Sequence, residues 1–299
     1  MKPILVLAMV AALSGCSIRH YALDKLSDAI AGGGSAFAAD DDPELVRAAA
    51  PFSLKLSESL LAENPRHAGL LLAATRGFTQ YAYAFVQQEA EELEEQDLAK
   101  AAALQERARR LYRRARDYGL RAMALQRPDI ARELQGDARQ AVAQFGRGDA
   151  GLLYWTAAAW GALIGVSKDS PESIAQLPVV EALIDRALEL DESYDHGAIH
   201  TFLIGYEALR QGAVGDAATR ARAHFTRALE LSRGGDAAPY VAFAEAVSVP
   251  EQRRQEFNDL LRQALGVALD RRPENRMANL VSQRRARWLL ARTERLFSE

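Results

Sequence analysis

The feature that most restricts the fold is a phrase that recurs at intervals along the chain. The hexapeptides "RALELD" at 186–191 and "RALELS" at 227–232 differ in one residue and lie 41 residues apart. Related phrases, each an apolar helix end closing in a turn, are "SESLLAENP" ending at Pro65, "GLRAMALQRP" ending at Pro128 and "GVALDRRP" ending at Pro273. Pro65 and Pro128 are 63 residues apart, Pro128 and Glu192 are 64 apart, and Pro273 lies 40 beyond Arg233. Repetition on this scale marks units that bury their apolar faces only by stacking on one another. An alanine near the helix end lets paired helices approach, and a proline there starts the next turn. An apolar residue stands three positions before that alanine: Ile184 before Ala187, Phe225 before Ala228 and Leu265 before Ala268.

Helix-forming Ala, Leu, Arg and Glu dominate, and β-branched residues rarely cluster. The expected fold is therefore all-α, a tetratricopeptide-like helical repeat array (an α-α superhelix) over residues 43–299. Spacings of 40–64 exceed the roughly 34 residues of an ordinary tetratricopeptide unit, which requires elongated helices or inserted ones. A helical bundle with chance similarity of helix ends is the alternative. Between the first two phrases, an acidic stretch (Glu89, Glu91, Glu92, Glu94, Glu95, Asp97) precedes a basic one (Arg107, Arg109, Arg110, Arg113, Arg114, Arg116). That order suits the helix dipole and pairs such as Glu106 with Arg110, and reads as the solvated face of a long hairpin rather than a docking surface.

The N-terminus carries an address. Lys2 is followed by the apolar run "ILVLAMVAAL" from Ile4 to Leu13, then Ser14, Gly15 and Cys16, the single cysteine of 299 residues. A charged start, a short apolar run and small residues make a secretory signal peptide over 1–15, and the run is about half the ~20 residues a membrane span needs. "LSGCS" looks like a bacterial lipobox, which implies cleavage before Cys16 and acylation of its sulfur. One cysteine leaves no intramolecular disulfide, while several acyl chains anchor firmly at ~0.8 kcal/mol per buried CH₂. Ser17, in place of Asp, favours by Gram-negative sorting rules the inner leaflet of the outer membrane, facing the periplasm. Residues 16–42 read as a lipidated tether and lead-in. Tyr21–Leu26 starts a short helix there, "GGGS" at 32–35 breaks it, and "DDDP" at 40–43 forms a loop and helix start.

Without residues 1–15, 36 basic residues stand against 40 acidic ones, so no basic excess points to nucleic acid. The most unusual stretch is "AGLLYWTAAAWGALIGVS" at 150–167, uncharged and holding two of the three tryptophans. It is expected at the centre of the core, lining a greasy cavity, or both. Tyr154, Trp155, Trp160, Tyr206 and Tyr240 are candidate ligand contacts, with Lys168 and His200 as polar ones. His196 and His200, four apart, are expected on one helix face. Gly197 holds the place where zinc proteases carry glutamate, so no metal is expected. No Gly-x-Ser-x-Gly, phosphate loop or dinucleotide fingerprint occurs, and no cofactor or enzymatic activity is expected. Near the end, Leu280, Arg284, Arg287 and Trp288 occupy adjoining helix faces, with Trp288 capping the last repeat.

Four phrases carry a family resemblance: "RRLYRRARDYGLRAMAL", "YWTAAAWGALIGVSKDSPESIAQLPVVEALIDRALELDESYDHGAIHTFLIGYEAL", "ALELSRGGDAAPYVAFAEAVSVPEQRRQEFNDLL" and "DRRPENRMANLVSQRRARWLL". Over roughly residues 43–297 the chain resembles the TatT family, periplasmic lipoproteins associated with tripartite ATP-independent periplasmic (TRAP) transporters. The resemblance implies a tetratricopeptide-like fold, a non-enzymatic role, a homo-oligomer such as a trimer, and binding to the transporter's periplasmic substrate-binding subunit. It also implies an apolar cavity or pore for a hydrophobic ligand such as an organic acid with an apolar tail. The competing reading is a lipoprotein scaffold for envelope assembly that grips peptide in a helical-repeat groove.

Overall fold

The computed structural model describes residues 24–210 and 212–297. The expected signal peptide, Cys16 and the start of the lead-in lie outside the described residues. Among these residues the structure is helical with no strand.

The helices in chain order are α1 (residues 24–32), α2 (Gly34–Ala39), α3 (Pro43–Glu63), α4 (Ala68–Tyr81), α5 (Gln88–Leu93), α6 (Leu98–Ala124), α7 (Ile130–Gly136), α8 (Ala138–Val142) and α9 (Ala150–Gly165). They continue as α10 (Pro171–Ile174), α11 (Leu177–Leu190), α12 (Ala198–Tyr206), α13 (Ala217–Ser232), α14 (Ala238–Phe243), α15 (Arg254–Gly266), α16 (Arg276–Leu290) and α17 (Thr293–Leu296). Wider π-turns join α4 to α5 (Ala82–Gln87) and extend α14 (Ala244–Ser248).

Four hairpins carry the array: α4–α5 with α6, α9 with α11, α12 with α13, and α14 with α15. Helix α3 precedes them and α16 follows. The recurring phrase ends α3 and then the second helix of each of the first three hairpins. Ala187 and Ala228 sit fully buried at the close approach. Both expected causes of the long spacing are present: α6 runs 27 residues, and α7, α8 and α10 are inserted around α9. The last copy departs from the pattern. Helix α15 stops at Gly266, Val267 is extended, and Ala268 is exposed in a connector, so Ala264 and Leu261 fill the buried positions one turn earlier.

Local signals set the helix starts. Asp42 Oδ1 accepts from the amides of Glu44 and Leu45 at 3.0 Å, with Pro43 in the first turn, so "DDDP" is a capped helix start. Asp97 and Asp216 cap α6 and α13 in the same way. Helix α9 is buried almost all round because it lies between α6, α11 and α4, as its lack of charge predicts. The α6–α9 crossing is close enough that a Cβ on Gly119 would stand 2.4 Å from Thr156 Oγ1.

Two expectations need correction. The glycine run interrupts the lead-in at Gly33 without ending it. Helix resumes at Gly34, and Ile30, Ala31 and Phe37 pack against the core, so residues 24–39 form part of the folded body instead of a loose tether. The second correction concerns the acidic stretch. It is solvated only in part: Glu94 and Asp97 are exposed, while Glu91, Glu92 and Glu95 tie the C-terminal segment to the first hairpin. Arg284 holds Glu92 through two bonds of 2.9 and 2.6 Å, and Arg285 lies 2.5 Å from Glu91. Arg292 and Arg295 both reach Glu95, and Glu89 pairs with Arg47 of α3 at 2.6 Å. The expected Glu106–Arg110 pair is present at 3.5 Å. The array is thereby closed, its last helix tied to its first hairpin.

Candidate functional site

The sequence candidates separate into two groups. Trp155, Trp160 and Tyr206 have internal partners. Trp155 Nε1 donates to Tyr194 Oη at 3.1 Å, Trp160 Nε1 to Gln176 Oε1 at 2.6 Å, and Tyr206 Oη to the Leu177 carbonyl at 3.0 Å. Burial raises the Tyr206 phenol pKa. Tyr240 packs edge-on to Phe225 at 5.6 Å in the second apolar cluster, which is built from α12 to α16. Lys168 is exposed in the turn after α9. These positions build the core or the surface. Two clefts among the described residues, of about 510 and 540 Å³, lie elsewhere. One runs between α13 and α15 over Phe225, Leu229 and Leu260, and the other lies beside Asp24, Asn64 and His67.

His196 and His200 do not share a face, because the chain turns between them. Asp195, His196 and Gly197 have φ of 43°, 55° and 96°, three left-handed residues in a row that leave His196 exposed and His200 buried at the start of α12. His200 Nδ1 lies 2.9 Å from His224 Nδ1, so one imidazole donates and the other accepts. Glu192 and Glu207 stand 3.6 Å from the outer nitrogens. Burial lowers both histidine pKa values. No group of three His, Cys, Asp or Glu able to hold a metal occurs among the described residues.

Tyr154 behaves differently from its neighbours. Its ring packs edge-on to Trp155 at 5.0 Å and tilted to Tyr194 at 5.4 Å. Its hydroxyl has no hydrogen-bond partner among the described residues, and the side chain keeps partial solvent contact. Its phenol pKa is nevertheless raised strongly, first by desolvation and then by the Asp195 charge.

Tyr83 shows the same combination at the closure. It is 40% exposed, and its pKa is pushed up to about 12 by desolvation and by Glu245. Tyr83 lies on one of the two π-turns, and Glu245 on the other accepts from Arg285 at 2.6 Å. π-turns within α-helices recur at functional sites. The Arg285 and Arg292 guanidinium carbons lie 4.3 and 4.6 Å from the Trp288 ring centroid, and both arginines pair with carboxylates.

Arg76 on α4 was not a sequence candidate, since nothing local marks it out. It is half-buried and has neither a hydrogen bond nor an ion pair. A Cβ on Gly34 would lie 2.3 Å from its Nη2, so α2 lies over this guanidinium at close range. Arg76 is near enough to Tyr194 to draw its phenol pKa down against the larger upward effect of burial.

These features define an all-α array of helix hairpins whose last helix is tied to its first hairpin by ion pairs. The chain belongs to the TRAP transporter T-component family, whose model matches residues 39–297. It is also 29% identical, over 302 residues covering 95% of this chain and 94% of the relative, to an uncharacterized protein of Treponema pallidum (strain Nichols). The protein is thus a TRAP transporter component.

Proposed function

We propose that the protein is a non-enzymatic periplasmic lipoprotein of a TRAP-type transport system. In this reading it binds the system's substrate-binding subunit and an amphipathic or hydrophobic ligand. The family match across nearly all of the folded body carries the proposal. The lipobox supports an anchor at Cys16, and Ser17 supports the periplasmic face of the outer membrane. No helix among the described residues is long and apolar enough to cross a membrane, so attachment through Cys16 gives the array a means of staying at one. The packed rings of Tyr154, Trp155 and Tyr194, with a Tyr154 hydroxyl that has no partner among the described residues, support a binding role. A tetratricopeptide-like array, alone or as a trimer, would present its surface to the soluble subunit while the anchor confines it to the membrane.

The test is co-purification of the tagged, lipidated chain with a TRAP substrate-binding subunit from the same cells. Recovery of that subunit, lost on competition with a large excess of untagged chain, is expected. Recovery of envelope-assembly proteins and no binding subunit would overturn the reading in favour of the scaffold.

A further inference from the structure

Helix α3 is apolar on two faces. Val46, Leu54, Leu60 and Leu61 are buried against the core. At about 100° per residue, Leu45, Ala48, Ala49, Phe52 and Leu56 fall on a second face, within an arc that is itself about 100° wide. Leu45 is 57% exposed and Phe52 75%, so this face is open among the described residues. Exposed apolar side chains standing singly are ordinary, whereas a continuous apolar strip marks a contact surface.

What covers the strip follows from where the chain enters the fold. Asp24, where the described chain begins, accepts from Asn64 Nδ2 at 2.5 Å, and Asn64 is the C-cap of α3. Only residues 17–23 lie between that point and Cys16, and at ~3.5 Å per residue they reach on the order of 30 Å. An acylated Cys16 therefore keeps the end of α3 within that distance of a bilayer. Phe52 precedes Asn64 by 12 residues, about 18 Å along the helix, so the open face lies within reach of the same surface. Leu26, two residues after the entry point, is also exposed, at 47%. The charges nearby favour apolar contact over attraction to acidic lipid. Lys25 pairs with Asp28 and Lys55 with Glu58, so each exposed ammonium group brings a carboxylate with it, and Glu44 beside Leu45 is exposed as well. Such a face suits the boundary between headgroups and acyl chains, where apolar side chains enter the lipid and lysine stems lie along it.

We infer that the outer face of α3, from Leu45 to Leu56, is the membrane-contacting surface of the protein, with Phe52 inserted at the headgroup boundary of the bilayer that holds Cys16. This rests on the reading that Cys16 is acylated, and it adds which side of the array meets the lipid. The acyl chains hold the protein at the membrane, and the strip on α3 fixes its orientation there.

The test uses the lipidated chain. Acylation occupies the Cys16 sulfur, so Leu45→Cys, Phe52→Cys and Val214→Cys each supply a single thiol for an environment-sensitive fluorophore. Val214, 93% exposed in the connector before α13, is the reference position. Each labelled chain is added to preformed phosphatidylcholine vesicles, with and without phosphatidylglycerol, and the vesicles are recovered by flotation. Labels at 45 and 52 are expected to shift to shorter wavelength on the vesicles and to lose emission when the lipid carries bromine at a shallow acyl position, whereas the label at 214 does neither. The pattern should be the same with and without phosphatidylglycerol, because the contact is apolar. Failure of the chain to float would overturn the anchor reading beneath the proposal. Flotation with no bromine quenching at 45 and 52, or with quenching at 214 in their place, would overturn the assignment of the face alone. Quenching only in the presence of phosphatidylglycerol would overturn its apolar basis. A label at 52 that shifts without being quenched would give the face to a protein partner, such as a second copy of the chain, and would overturn the assignment too.

Discussion

The closure between the first hairpin and the last helix gives the sharpest test of how the array is held. Arg285 is 13% exposed and faces two carboxylates, Glu91 at 2.5 Å and Glu245 at 2.6 Å, with its guanidinium 4.3 Å from the Trp288 ring centroid. Its Nη1 is within ion-pair distance of Glu91 but lacks the alignment of a hydrogen bond, so charge rather than hydrogen bonding dominates that contact. In Arg285→Met the apolar stem remains and two carboxylates are left facing each other beside the desolvated Tyr83 phenol. Removing one partner of a buried pair costs roughly 3–5 kcal/mol. Glu91 and Glu245 are 25% and 32% exposed, so water compensates in part and the lower end, about 3 kcal/mol, is expected. With a urea m-value of about 3 kcal/mol/M, the midpoint followed by tryptophan fluorescence falls by about 1 M. Arg262→Met removes a pair with Asp259 that is 68% and 50% exposed, and should cost under about 1 kcal/mol. Adding Glu91→Gln and Glu245→Gln to Arg285→Met should recover most of the loss, because the stranded charges are gone. Equal costs for Arg285→Met and Arg262→Met, or no recovery in the triple variant, would refute the claim that a sheltered charge cluster closes the array.

Three other outcomes follow from the geometry. Gly119→Ala places a Cβ 2.4 Å from Thr156 Oγ1, which is fixed by its bond to the Leu152 carbonyl at 2.7 Å. A loss of about 1–3 kcal/mol is expected in thermal melting, and Thr156→Ala in the same chain should return most of it. Asp42→Ala removes the acceptor for two amides and should cost about 1 kcal/mol of stability in urea. Acidification should weaken the protein through the His200–His224 pair, where burial lowers both pKa values; the His224 charge lowers that of His200 further, while Glu192 and Glu207 oppose the shift. The unfolded chain then takes up protons that the folded chain refuses, so stability is full above about pH 6.5 and falls as pH drops through the lowered folded values. Replacing both histidines with leucine should flatten that part of a melting-temperature profile.

The repeat was legible because its determinants are local. A capping aspartate, an apolar face and a small residue at a helix end act within a few residues of one another, and they placed α3, α11 and α13 correctly. The buried state of α9 was legible from its lack of charge. What could not be read depends on residues far apart in the chain. Arg284 and Glu92 are 192 residues apart, and nothing near either identifies the other. The acidic run therefore reads as solvated when it is in part a clamp. Arg76 is harder still, since its distinguishing property is that no carboxylate faces it, and that is defined only once every neighbour is in place. The aromatic candidates illustrate the same limit. Composition selected Tyr154, Trp155 and Trp160 together, but only the folded chain shows that both indoles have partners while the Tyr154 hydroxyl does not.

The folded lead-in also changes what an anchor at Cys16 would mean. With residues 24–39 packed on the body, only residues 17–23 separate Cys16 from the first described helix. Fully extended, such a segment spans at most ~3.5 Å per residue, on the order of 30 Å in all. A lipidated chain would thus hold its array close to the membrane surface, not on a long leash. The segment that enters the body continues into α2, whose Gly34 lies against Arg76, and ends at Ala39, whose carbonyl accepts from Arg276 of α16 at 3.0 Å. Lead-in and closing helix are therefore joined by one short stretch of backbone. A pull on the lead-in bears first on α1, which Asp24 and Asp28 hold to Asn64 and His67, and only then on α2. The covalent order of the chain thus sets α1 and α2 between an anchor at Cys16 and the closed array.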